Sequence, residues 1–167
     1  MRVYVPLTLS GLARLHTARE LGPAPLTAYA VTPALREWYL SGNEEELEYA
    51  ALSRAAAASL RLVATDPAVA RRRVVVAAEV PDRVAVADPD LALSAESLGE
   101  VRLTEPVPVV WLAAVHVDAE EAAADIRAAA DAVGAADQGD DDARFTVDGA
   151  ADHELLWYGV QELDRLL

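Results

Sequence analysis

The sequence predicts an open α/β fold: a mainly parallel or mixed sheet of about four to five strands with helices packed on it. Three observations support this. Strand-like and helix-like segments alternate along the chain. Val74-Val75-Val76-Ala77-Ala78 is continuously apolar, as expected of a central strand covered on both faces. Leu47, Ala51, Ala55, Ala58 and Leu62 recur at helical spacing, and the small alanines would let that helix lie close against a sheet. The 167 residues are read as one domain, since a chain of this size can bury roughly 70% of its unfolded surface without a disulfide or metal. The alternative is an α+β ferredoxin-like sandwich, which would require weak strands between residues 82 and 106 to pair inside the sheet.

Arg2 to Pro6 alternates like a short strand and stops at proline. Leu9, Leu12, Leu15 and Leu21 then give an approximate helical stripe, entered at Thr8 or Ser10 and closed by Gly22-Pro23. Residues 26–31 form a second strand. Thr32-Pro33 supplies a capping hydroxyl followed by proline at the first helical position, so a short helix runs to Ser41-Gly42. Asn43 caps the next helix, which carries Glu44, Glu45 and Glu46 in its first turn and runs to about Thr65. Residues 82–106 read as an irregular excursion with edge strands at 84–86 and 101–103. The last main strand covers residues 109–117, broken by a turn near Trp111, and Asp118 caps an alanine-rich helix through Val133. An acidic loop at 135–149 contains Asp140-Asp141-Asp142, and a closing helix over 152–167 places Leu156, Val160, Leu163 and Leu167 on one face.

Composition excludes several chemistries. Without cysteine there are no disulfides, thiolate nucleophiles or iron–sulfur clusters, which fits a reducing, cytoplasmic compartment. All fourteen basic residues are arginine, so Schiff-base chemistry and a phosphate-loop lysine are impossible. Lysine's absence and the excess of alanine reflect a GC-rich genome. Residues 1–65 carry six acids and six arginines, whereas residues 106–167 carry fourteen acids and three arginines. A net charge of −14 repels phosphate backbones and anionic lipid, so neither nucleic acid nor membrane is expected as a partner. Met1-Arg2-Val3-Tyr4-Val5-Pro6 meets proline before any signal-peptide core could form, and the apolar run 107–117 is about half a membrane span.

Neither a dinucleotide nor a nucleotide glycine motif occurs, and no serine stands in a nucleophile elbow. His16, His116 and His153 are far apart and none belongs to a zinc-binding pair, so no metal or cofactor is expected. Asp140-Asp141-Asp142 lacks the spacing of a calcium loop.

What remains is two acid-aromatic segments. Trp38, Tyr39, Glu45, Glu48 and Tyr49 could offer ring faces and carboxylates to a cation or an arginine-bearing partner. In the second, His153 and Trp157 are one helical turn apart, as are Glu154 and Tyr158, so both pairs could share a helix surface. The competing reading of these aromatics is ordinary core packing. A second candidate follows from the parallel sheet, whose strand carboxyl ends would gather Thr8, Ser10, Thr32, Asp82, His116 and Asp118 into a ligand crevice. There His116 or His153 could serve as an acid–base group beside a carboxylate.

The opening Met1 to Pro6, the stretch Val31 to Tyr39 with Glu44 to Tyr49, and His153-Glu154-Leu155-Leu156-Trp157-Tyr158 together resemble a small actinobacterial family of uncharacterised proteins. The resemblance implies a GC-rich bacterial cytoplasm and carries over no activity or catalytic residue. The expected function is therefore a non-catalytic interaction or regulatory domain, meeting a protein partner or its own symmetry mate. The alternative is a small-molecule binder or enzyme at the strand-end crevice.

Overall fold

Val3 and Val5 leave strand β1 (Arg2–Leu7) on one face and Tyr4 leaves it on the other, and both faces are buried. The structure, a computed structural model, describes residues 1–91 and 94–167, so two residues of the expected excursion lie outside the described ones. After β1 come α1 (Leu9–Ala18), β2 (Glu20–Leu21), β3 (Leu26–Tyr29), α2 (Pro33–Trp38), α3 (Glu44–Thr65) and β4 (Val74–Glu79). Then follow β5 (Ala85–Ala87), β6 (Glu100–Leu103), β7 (Val107–Pro108), β8 (Leu112–Val117), α4 (Ala123–Asp137), α5 (Asp141–Asp148), β9 (Leu156–Tyr158) and α6 (Leu163–Leu166).

Among the described residues the main sheet has seven strands in the order β5-β6-β3-β1-β4-β8-β9, and every neighbouring pair is antiparallel. This corrects the expected four to five mainly parallel strands. β3 and β4 both run against β1, so they are parallel to each other with β1 inserted between them, and α2–α3 is their crossover. The weak strands of the excursion pair at one side of the sheet, β6 beside β3 and β5 at the outer edge. β2 and β7 form a separate two-stranded ribbon.

Helices cover both faces, which is why Val74 to Ala78 is apolar throughout although the sheet is antiparallel. On one face Val3, Val5, Val74, Val76, Val115 and Val117 pack with Leu12 and Leu15 of α1 and Leu163 of α6. Each fully buried side chain of this kind contributes about 1.5–3 kcal/mol. On the other, Tyr4, Tyr29, Val75, Ala77 and Ala114 meet Ala51, Ala55 and Ala56 of α3. A third cluster joins Leu60 and Val63 to Ile126, Ala129, Ala130 and Val133 of α4. Because α4 covers the second half of α3, the buried stripe there passes through Leu60 and Val63, while Leu62 is exposed.

α3 begins as its sequence predicts: Asn43 Oδ1 accepts from the Glu46 N–H at 2.9 Å, and Glu46 accepts from the Asn43 N–H at 3.0 Å. Ser59, fully buried on this helix, accepts from the Val74 N–H at 2.9 Å and donates to the Leu7 carbonyl at 2.6 Å. It thereby fastens α3 to the ends of β1 and β4.

The carboxyl-terminal third departs most from expectation. The expected acidic loop at 135–149 is the end of α4 and then α5, because Asp140 caps α5 through the Ala143 N–H at 3.0 Å and Asp141 and Asp142 occupy its first turn. The expected helix over 152–167 is instead strand β9, paired with β8, followed by a short turn into α6. Among the described residues no helix is long and apolar enough to cross a membrane.

Candidate functional site

The first acid-aromatic segment is set by two helix ends. α2 is capped by Thr32, whose hydroxyl accepts from the Leu35 N–H at 3.2 Å, and it stops at Trp38, leaving Tyr39 as its last cap. Trp38 is 61% exposed and Tyr49 54%, and Tyr39 and Leu40 are exposed too. Glu44 pairs with Arg36 at 2.8 Å and Glu46 is used in the capping box. Glu45 is exposed with no ion-pair partner among the described residues, while Glu48 is half-buried, and burial first and then the Glu48 charge raise the pKa of Tyr4.

In the second segment β structure replaces the expected helical pairing, so successive side chains go to opposite faces. Trp157, opposite His116 on β8, is 61% exposed, whereas Tyr158 is half-buried against the α1-side core. Burial, and then the Arg2 charge, hold the His116 pKa below its ordinary value. His153 Nε2 lies 2.7 Å from Asp125 Oδ2 on α4, and its carbonyl accepts from Arg73 Nη2 at 2.9 Å.

The two segments meet. Tyr49 from the first and His153 and Glu154 from the second line one cleft of about 650 Å³, which runs along α3 beside α4 and α5. Trp38, Tyr39, Trp157 and Tyr158 stand outside its lining. The floor is built of small apolar side chains, Ala56, Ala57, Ala58, Val133 and Ala136 among them, and four of the fourteen arginines reach it: Arg54, Arg61, Arg73 and Arg144.

The antiparallel sheet disperses the strand-end crevice. Leu7, Val74 and Val117 are in register, so Thr8 and Asp118 lie at one end of the sheet; Tyr29 pairs with Tyr4, so Thr32 follows β3 at the opposite end. Thr8 caps α1 through the Gly11 N–H at 3.1 Å, and Ser10 is exposed in that helix's first turn. Asp118 is wholly buried and bound to Arg73. Asp82 pairs with the amino terminus at 3.1 Å. Among the described residues no three His, Asp or Glu side chains converge on a metal-sized site.

Residues missed by the sequence reading are Tyr29, Arg54, Arg61 and Arg144. Arg54 and Arg61 are seven apart on a helix that was expected, and that spacing puts them on one face. Arg144 had no such signal, because its helix was read as loop. No curated protein and no solved structure matches this chain. A family model described as a family of unknown function (DUF6912) matches residues 1–167, and the protein belongs to that family.

Proposed function

We propose that the protein is a non-catalytic interaction domain of a bacterial cytoplasm, docking an arginine-bearing segment on the acid-aromatic face around Trp38, Tyr39, Glu45, Glu48 and Tyr49. The observation that carries this reading is the exposure of Trp38, Tyr39, Tyr49 and Trp157. An aromatic side chain buries about 150–250 Å² when packed, so leaving four in solvent forgoes apolar burial that a partner could supply. Ring faces beside carboxylates attract a guanidinium by cation–π and charge-assisted contacts, and a net charge of −14 steers cationic partners toward the chain. The cysteine-free, arginine-only composition supports the cytoplasmic assignment. A second copy of the chain is the other occupant this face would suit.

Calorimetric titration with an arginine-rich peptide, beside the same peptide with serine for arginine, tests the reading, and light scattering monitors self-association. The expected result is salt-sensitive binding of the arginine peptide, lost in the Tyr49→Ala, Trp157→Ala variant. A chain that binds neither peptide and stays monomeric overturns it.

A further inference from the structure

Tyr29 closes β3 beneath α3, and only 7% of it is exposed. It nevertheless lines the cleft, and its hydroxyl, which makes no hydrogen bond among the described residues and is not among their buried unpaired atoms, is open to that cleft. A hydroxyl open to the cleft can exchange a water for a hydrogen bond to a ligand there. Burial, together with the charge of Glu100, raises its pKa against the opposing pull of Arg54 and Arg61, so the phenol stays protonated and is a donor at neutral pH.

The cations around it are unequally satisfied. Arg61 makes a two-pronged bond to Asp137, at 3.0 and 2.8 Å. Arg54 spends its Nη1 on the carbonyl of Ala95, a neutral group that leaves the guanidinium charge uncompensated. Arg144, on α5, has no ion-pair partner among the described residues; the Arg61 hydrogen bond, and to a lesser degree the Arg144 charge, lower the pKa of Asp137. The cleft therefore offers a protonated phenol and two arginines with spare N–H donors above an alanine floor. The cleft is also lined by Glu96, Asp148 and Glu154, besides the Asp137 that Arg61 holds, and these carboxylates oppose a polyanion.

From this we infer that the α3 cleft is a binding site for a small organic anion, an apolar or aromatic body ending in one carboxylate or phosphate. Its head accepts hydrogen bonds from Tyr29, Arg54 and Arg144, and its body lies on Ala57 and Ala58. The cleft adjoins the acid-aromatic face through Tyr49, but neither Trp38 nor Trp157 lines it.

The test is calorimetric and NMR titration of the full chain with benzoate, phenyl phosphate, inorganic phosphate and the uncharged benzamide. Benzoate or phenyl phosphate should bind saturably and benzamide should not; the tighter of the two identifies the head, and weaker inorganic phosphate shows that the body contributes. Tyr29→Phe keeps the ring and removes the hydroxyl, and with Arg54→Gln each should weaken binding about tenfold, the loss of one hydrogen bond to a charged group. Thermal melts establish that both variants remain folded. The inference is overturned if neither organic anion binds below about 10 mM, or if binding is unchanged in both variants.

Discussion

Asp118 receives Arg73 through three hydrogen bonds: the Arg73 main-chain N–H at 2.7 Å and Nε at 2.9 Å donate to Oδ2, and Nη2 at 2.8 Å donates to Oδ1. Both side chains are buried, at the point where β4 begins and β8 ends. The Asp118 carbonyl in turn accepts from Arg72 Nε and Nη2, at 3.0 and 2.8 Å, and Arg73 Nη2 also reaches the His153 carbonyl. One ion pair thus joins the sheet to the segment leading into β9.

Removing one member leaves a buried charge uncompensated. Asp118→Ala should cost about 3–5 kcal/mol in urea unfolding, and Arg73→Met combined with Asp118→Leu should cost less than the single change. An Asp118→Ala loss within experimental error of zero would contradict the buried pair.

Ser59 makes a comparable but uncharged link. Ser59→Ala strands the Val74 N–H and removes a donor from the Leu7 carbonyl, both close to the buried helix–sheet seam. The expected cost is about 1–3 kcal/mol, with faster amide exchange at Val74 than at Val76.

The exposed tryptophans should behave oppositely. Trp38→Ala and Trp157→Ala are each expected to change stability by less than about 1 kcal/mol, whereas Leu35→Ala, in the fully buried core, should cost about 2–5 kcal/mol. Chemical denaturation of the three variants decides this, and a tryptophan variant as costly as Leu35→Ala would make that ring part of the core.

His116 gives stability a pH dependence of known sign. Its folded pKa lies below the ordinary 6.5, so between the two values the unfolded chain binds more protons than the folded one. Stability from this group is therefore complete above 6.5 and is lost as pH falls through the folded value. Melting wild type and His116→Gln from about pH 8 down to pH 5 should show the wild type losing ground to the variant below neutrality. Parallel melting curves across that range would remove His116 as the cause.

How much was legible can be judged from particular elements. Asn43 followed by Glu46 predicts the start of α3 because a capping box is a contact between residues three apart, and Thr32-Pro33 predicts α2 for the same local reason. The segment Leu156 to Tyr158 reads as helix because Leu156, Val160, Leu163 and Leu167 fit a helical period, yet Leu156 is exposed and its backbone is held by β8, about forty residues earlier in the chain. Asp140 was read as loop because an aspartate run suits either a solvated turn or a cap, and only the helix behind it distinguishes them.

Sheet direction shows the limit most clearly. An apolar run such as Val74 to Ala78 reports that both faces are covered, and helices cover both faces of this antiparallel sheet as they would a parallel one. By itself, the sequence determined the caps of α1, α2 and α3, the long α3 helix, the central strand and the acid-aromatic composition, all of which depend on neighbours within a few residues. Asp118, expected to cap α4, is instead held by Arg73. Tertiary structure alone decided the insertion of β1 between β3 and β4, the Arg73–Asp118 pair and the cleft that brings Tyr29, Arg54 and Arg144 together. Those depend on which distant segments bury surface against each other, and local periodicity is the same for several such arrangements.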